Sequence, residues 1–129
     1  MVDSTLTNEM IENGKKLIRK LDDSNVRPSA AFWFYRPDIQ EWKLVLVFVS
    51  VGKNGPKQVY SKIQTIISNF PDELSPLSLN QITLAKPDYS IAKLLRGAIR
   101  TGPGISGIWF ENSVINGTVI EGAYIYRLA

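Results

Sequence analysis

The sequence predicts an α+β fold in the order α-β-β-α-β-α-β-β, with helices packed against a mainly antiparallel five-stranded sheet. Three observations support this prediction. Apolar residues recur at helical spacing in three segments, and aromatic and β-branched residues concentrate in shorter segments between them. The pair Asn116-Gly117 marks a two-residue hairpin near the end of the chain. Because we find no linker and no repeat, we expect residues 1–129 to form a single α+β domain.

The first part of the chain predicts a helix followed by a hairpin. The helix is expected over residues 5–22, where Gly14 interrupts the apolar stripe and should weaken the helix by about 1 kcal/mol relative to alanine. Strands are expected over 30–35 and 42–49, and the Pro37-Asp38 pair between them favours a turn. The second strand is apolar on both faces over most of its length, which predicts a central strand covered on both sides.

The middle of the chain predicts a second helix and a short strand. The helix is expected to begin at Pro56 and to end near residue 70, and a loop over 71–76 follows it. Residues 79–85 are expected to form the strand. Since a helix crosses over before this strand, we expect it to pair in parallel with its neighbour.

The last part of the chain predicts a third helix and a final hairpin. The helix is expected over 89–100, with Asp88 as its N-cap. The two final strands are expected over 105–111 and 118–128. A type I′ turn between them would place Trp109 opposite Tyr124.

The composition excludes several kinds of chemistry. The chain has no histidine and no cysteine, so it lacks the commonest general base, the commonest transition-metal ligand, thiolate nucleophiles and disulfides. We therefore predict no catalytic residues, no metal site and no cofactor. An enzyme that uses carboxylates and magnesium needs no histidine, and this class stays open.

One group of carboxylates resembles a metal-dependent nuclease pattern. Asp38, Glu41 and Lys43 are the residue types of the PD…(D/E)xK pattern, in which two acids hold magnesium and the lysine orients a water. The two halves of that pattern lie on adjacent strands, whereas here both acids fall within one turn. We interpret this match as chance.

The sequence predicts a cytoplasmic protein with no membrane partner. The longest apolar run, Leu44 to Val49, is far shorter than the roughly 20 residues that span a bilayer. The first residues have neither the basic nor the apolar region of a secretory signal.

The net charge of +3 is mild and evenly spread, unlike that of most nucleic-acid-binding domains.

The third helix and the glycine-rich segment after it form a candidate anion or nucleic-acid site. Phosphate-cradling loops lead from a strand into a helix, whereas this segment leads from a helix towards a strand, so we interpret its glycines mainly as a helix stop with Gly102 as a left-handed cap. The basic residues of the third helix fall on one of its faces, and Lys86 and Arg127 could extend this basic face. The predicted site consists of Lys93, Arg96, Arg100, Gly102 and Gly104.

Aromatic residues of the predicted strands form a candidate protein interface. The residues chosen for it are Trp33, Tyr35, Trp109 and Tyr124. We therefore expect a non-catalytic protein that acts through protein–protein contacts, as a homodimer, by an aromatic sheet face or an edge strand. The alternative is a weak binder of nucleic acid or of an anionic ligand, which would use the basic face of the third helix.

Overall fold

A mixed five-stranded sheet with helices on both faces organises the molecule. The structure is a computed structural model that describes residues 5–48, 56–74, 77, 79–86 and 88–129. The helices and strands are α1 (Asn8–Asp23), β1 (Ala30–Arg36), β2 (Glu41–Val47), α2 (Pro56–Asn69), α3 (Pro71–Leu74), β3 (Ile82–Ala85), α4 (Ser90–Ala98), β4 (Ile108–Ile115) and β5 (Thr118–Leu128). The α+β class and the five strands are therefore confirmed.

The sheet order is β3-β2-β1-β5-β4. Three strand pairs are antiparallel, but β3 is parallel to β2, so the sheet is mixed and the prediction of a mainly antiparallel sheet is wrong in this respect. The crossover through α2 and α3 returns the chain to the end of the sheet where β2 began, which permits parallel pairing. The expected parallel alignment of the short strand is thereby confirmed.

Both predicted hairpins are present. β1 pairs with β2 across the turn at residues 37–40, and β4 pairs with β5 across Asn116-Gly117. Both residues of that second turn have positive φ, 49° and 79°, as a type I′ turn requires. Trp109 lies opposite Tyr124, as predicted.

Several element boundaries differ from the predictions. Residues 71–74 form the short helix α3, whereas a loop was expected over 71–76; residues 75, 76 and 78 lie outside the described ones. A 3-10 turn over Leu79–Gln81 takes the first part of the predicted third strand. β4 begins and ends later than expected. Its later end follows from the two-residue turn, which allows pairing to continue as far as Ile115. Val49, where the second strand was expected to end, lies outside the described residues as well.

The third long helix, α4, is shorter than predicted at both ends. Tyr89, not Asp88, occupies the N-cap position, and its side chain makes no capping hydrogen bond. At the other end Ile99 is already extended, with φ −152° and ψ 146°. The chain leaves the helix there because the backbone N–H of Thr101 donates to the carbonyl of Leu128 at the end of β5. Gly102 is therefore not the left-handed cap of this helix.

The two faces of the sheet carry separate apolar cores. α1, α2 and α3 cover one face, and α4 covers the other. In β2, Leu44 and Leu46 join the first core, whereas Val45 and Val47 join the second. The prediction that this strand is covered on both sides is confirmed.

A hydroxyl group under Gly14 joins α1 to the sheet. The Tyr126 hydroxyl accepts a hydrogen bond from Trp33 Nε1 (2.9 Å) and donates one to the carbonyl of Ile11 (2.6 Å). A β-carbon at Gly14 would lie 2.5 Å from that hydroxyl oxygen. Burial raises the pKa of Tyr126, so the ring stays neutral and keeps its proton to donate. The glycine that weakens the helix in isolation is therefore required by this close packing.

A buried ion pair fixes the other end of α1. Arg127 is only 3% exposed, and its Nη1 and Nη2 lie 3.1 and 2.7 Å from the two carboxylate oxygens of Asp22. Nη1 also donates to the carbonyl of Pro28 (3.0 Å), and Nε donates to that of Gly104 (3.3 Å). Every part of the guanidinium is thus bound within the fold. The sequence analysis allowed Arg127 to extend the basic face of the third helix, but this residue lies in the ion pair instead.

The pairing of β5 with β1 shifts by one residue next to this ion pair. Ala31 lies opposite Arg127, whereas Phe32 lies opposite Ile125, so Tyr126 has no direct partner on β1. Such an irregularity has the form of a β-bulge, which re-aims the side chains on either side of it.

We expect Gly14→Ala to destabilise the protein by about 1–2 kcal/mol, because the cost of overpacking against Tyr126 exceeds the gain in helix propensity. The measurement is the free energy of unfolding in urea. Gly97→Ala in α4 is the matched control, since its added β-carbon would meet no atom within 4 Å apart from the neighbouring helix backbone, and it should stabilise by about 0.5 kcal/mol. Equal effects of the two substitutions would contradict the packing argument.

We expect Asp22→Asn to lower the free energy of unfolding by about 3 kcal/mol or more, because it leaves the buried Arg127 guanidinium without its counter-charge. Asp23→Asn is the control on the neighbouring exposed carboxylate, and it should change stability by less than about 0.5 kcal/mol. Denaturant unfolding of both variants measures the difference. A small loss in both variants would show that the ion pair does not hold α1.

Candidate functional site

A row of aromatic rings crosses one face of the sheet from β2 to β4. Tyr35 and Trp42 have ring centroids 5.5 Å apart, and Trp42 and Trp109 are 6.4 Å apart with their planes at 88°. Trp109 then contacts Tyr124 at 5.0 Å, and Tyr124 contacts Tyr126 at 5.3 Å, both edge to face. Aromatic pairs favour such tilted and edge-to-face contacts. The row is therefore one continuous packed layer.

Glycines make room for this layer. A β-carbon at Gly122 would lie 2.6 Å from the Cη2 atom of Trp42, so the Trp42 ring can reach across β1 and lie over β5 only because Gly122 has no side chain. Gly107 makes the same kind of room for the hydroxyl end of Tyr124. The interface residues chosen from the sequence did not include Trp42. A glycine within an otherwise regular strand was the signal of close approach that could have indicated it.

The structure places most of the predicted interface aromatics together, but not all of them on the surface. Tyr35, Trp109 and Tyr124 lie in the row, and Trp109 is 46% exposed. Trp33 is 0% exposed under α1, where it bonds to Tyr126, so it is a core residue and the prediction that it forms an interface is wrong. Its position on β1 is covered by a helix, which strand periodicity alone does not reveal.

The row ends beside the free edge of β4. Among the residues that the structure describes, β4 has no strand neighbour other than β5. The β4–β5 hairpin also carries the two most exposed of the large hydrophobic residues, Val114 (67%) and Val119 (62%), which lie opposite each other. Its charged residues between Ile108 and Tyr126 are Glu111 and Glu121, and it has no lysine or arginine there.

The predicted basic site is only partly assembled. Lys93 and Arg96 lie one turn apart on α4, whereas Arg100 lies beyond the end of the helix. Arg96 is half-buried, its Nη2 lies 3.5 Å from the Ser29 hydroxyl, and its Nε atom is buried with no hydrogen-bond partner. None of the ion pairs in the described chain involves these three basic residues.

The glycines assigned to the basic site have other positions. Gly102 and Gly104 are both exposed, with open space where a β-carbon would be. The Gly104 carbonyl accepts a hydrogen bond from Arg127, so this glycine belongs to the ion pair at the end of α1.

The acids of the nuclease-like pattern are bound to basic neighbours. Asp38 accepts two hydrogen bonds from Arg36, at 2.6 and 3.3 Å, and these bonds lower the pKa of the Asp38 carboxyl. Glu41 lies 3.5 Å from the Lys43 ammonium. In the ranges described above, no group of three or more acidic side chains could hold a metal ion. Nor does any described helix have the length and apolar character needed to cross a bilayer.

Comparison of the chain with protein-family profiles, with curated proteins and with solved structures finds no match.

Proposed function

We propose that this chain acts through protein–protein contact, and that the free edge of β4 pairs with a second copy of the chain. One observation carries the proposal: β4 is a long edge strand whose exposed side chains include Trp109 and Val114. The proposed function is non-catalytic. The aromatic row would lie next to this contact and extend it.

The backbone of β4 has hydrogen-bonding groups that face outwards. Ile115 and Thr118 close the two-residue turn and form the first bonded pair of the hairpin. Hydrogen bonding alternates along an antiparallel pair, so Phe110 and Val114 direct their N–H and C=O groups away from β5. A free strand edge with both donors and acceptors can pair with a second copy of itself.

The edge of β4 has few of the features that usually prevent such pairing. Natural edge strands are kept short or carry lysine or proline, and the opposite edge strand, β3, has only four residues. β4 has eight residues, no proline and no basic residue. The one irregularity is Asn112 at φ 47°, and the register with β5 is the same on both sides of it. The long edge therefore favours association.

We expect Val114→Lys to abolish self-association, because a lysine on the strand edge opposes pairing while an exposed position tolerates it. Size-exclusion chromatography with light scattering, run over a range of protein concentrations, measures the mass. The native chain should approach twice 14.5 kDa, and the variant should stay at the single-chain mass.

Ile39→Lys is the matched control, since Ile39 is 43% exposed in the turn between β1 and β2, and it should associate like the native chain. A native chain that stays monomeric at every concentration would overturn the proposal. So would a Val114→Lys variant with the native mass.

A second candidate function is the binding of an anion at Arg96. The observation that favours it is the buried Arg96 Nε atom without a partner, since an uncompensated buried donor is costly and an anion would satisfy it. Lys93 and Arg100 would add positive charge nearby. A phosphate or carboxylate group is the chemistry that a guanidinium pairs with best.

We expect Arg96→Ala with Arg100→Ala to abolish the binding of a labelled mixed-sequence DNA oligonucleotide, measured by fluorescence anisotropy at low salt. The native affinity should fall steeply as the salt concentration rises. Lys16→Ala with Arg19→Ala removes the same charge from exposed positions of α1 and should leave most of the binding intact. Unchanged binding by the first double variant would exclude this site.

A further inference from the structure

The aromatic row leaves an open corner on the sheet face next to β4. Trp42 and Trp109 meet at 88°, and Tyr35 packs against Trp42 at 58°. Tyr35 and Trp42 are half-buried and Trp109 is 46% exposed, so the helices on this face cover the rings only in part. The faces of aromatic rings carry partial negative charge and attract cations. We call these three rings, together with Glu111, the aromatic corner.

Glu111 supplies a full negative charge to the aromatic corner. It follows Trp109 by two residues in β4, so both side chains leave the same face of the sheet. Its partner on β5 is Gly122, and the Trp42 ring lies over Gly122. The strand position of Glu111 is therefore next to both indole rings. Glu121 precedes Gly122 in β5 and leaves the opposite face.

No basic side chain of the described chain neutralises this corner. The ion pairs of that part of the molecule do not include Glu111, which is exposed. Two basic residues are close in sequence to the rings, and both are engaged elsewhere. Arg36 is bound to Asp38 at 2.6 Å, and Lys43 is bound to the carbonyl of Asn80 at 2.8 Å. None of the basic residues that the structure describes is therefore placed to supply the corner with a cation.

We propose that the aromatic corner binds an arginine side chain of a protein partner. A guanidinium is planar, so it can stack on an indole ring while its N–H groups donate in pairs to a carboxylate. The corner offers both kinds of group, because the rings of Trp42 and Trp109 lie next to the strand position of Glu111. An ammonium group stacks less well and is more strongly hydrated.

This site is separate from the contact proposed for the edge of β4. The edge contact uses outward backbone groups, whereas the corner uses side chains on the sheet face. A second copy paired along β4 would bring another strand that has no lysine or arginine from Ile108 to Tyr126. The paired strands of a second copy therefore supply no arginine to the corner, and the corner can be tested whether or not the chain forms a dimer.

The test uses the capped tripeptide acetyl-Gly-Arg-Gly-amide as the probe and the tryptophan indole N–H signals of the ¹⁵N-labelled full chain as the readout. We expect saturable shifts of the Trp42 and Trp109 signals. Trp33 is the internal reference, because it is buried and bonded to Tyr126, and its signal should not move. The citrulline peptide, which keeps the shape and loses the charge, should bind at least about fivefold more weakly.

Two matched variants locate the carboxylate. Glu111→Gln should weaken the binding of the arginine peptide by at least about fivefold. Glu121→Gln changes the net charge equally on the other face and should leave the affinity unchanged. Val114→Lys, which tests the edge contact, should leave it nearly unchanged as well. An unshifted Trp33 signal in each variant confirms that the fold is intact.

Several outcomes would overturn the proposal. The Trp109 signal could show no saturable shift, or the arginine and citrulline peptides could bind with equal affinity. Glu111→Gln and Glu121→Gln could have equal effects on that affinity. A trimethyl-lysine peptide could bind more tightly than the arginine peptide. Each of them leaves the mass measurement on the β4 edge unaffected, so the two proposals fail separately.

Discussion

The ion pair between Arg127 and Asp22 is the constraint on which the rest of the structure depends. It joins residues 105 positions apart, in the last strand and at the end of the first helix. The same guanidinium holds the carbonyls of Pro28 and Gly104, so it also fixes the segment before β1 and the segment before β4. A buried arginine with all its nitrogens bound is costly to remove from water and more costly to leave unpaired. The first helix and the central strands therefore have one compatible arrangement.

The aromatic residues of this fold have two physical roles that their sequence positions do not distinguish. Trp33 and Trp109 both occupy strands and share a sheet face, yet one is buried beneath α1 and the other remains exposed at the edge. The difference arises because the helices pack over the middle strands and leave the β4 side of this face open. An aromatic layer that is continuous from core to surface gives the exposed rings a rigid support, which is favourable for recognition.

Local patterns predicted the elements of this fold, whereas long-range contacts determined the parts that could not be predicted. The Asn116-Gly117 turn gave the register of the last hairpin, and the doubly apolar run in β2 gave its central position. The end of α4 depended instead on a hydrogen bond between Thr101 and Leu128, which no helix signal contains. The candidate site was found only in part, since Trp42 reaches it by crossing a neighbouring strand. Gly14 and Gly122 mark close approaches of Tyr126 and Trp42, and the sequence analysis did not recognise either of these contacts.

The irregular pairing at Tyr126 has a mechanical consequence for α1. Successive residues of a regular strand point to opposite faces, so a single strand normally offers a helix every second side chain. The bulge lets two consecutive residues of β5 reach the same helix, Tyr126 at the Ile11 carbonyl and Arg127 at Asp22. The helix is thereby clamped near both ends by one dipeptide, and it can neither slide along the sheet nor rotate about its own axis without breaking a buried bond. Deletion of a single residue from this part of β5 would restore regular pairing, and only one of these two side chains could then reach α1.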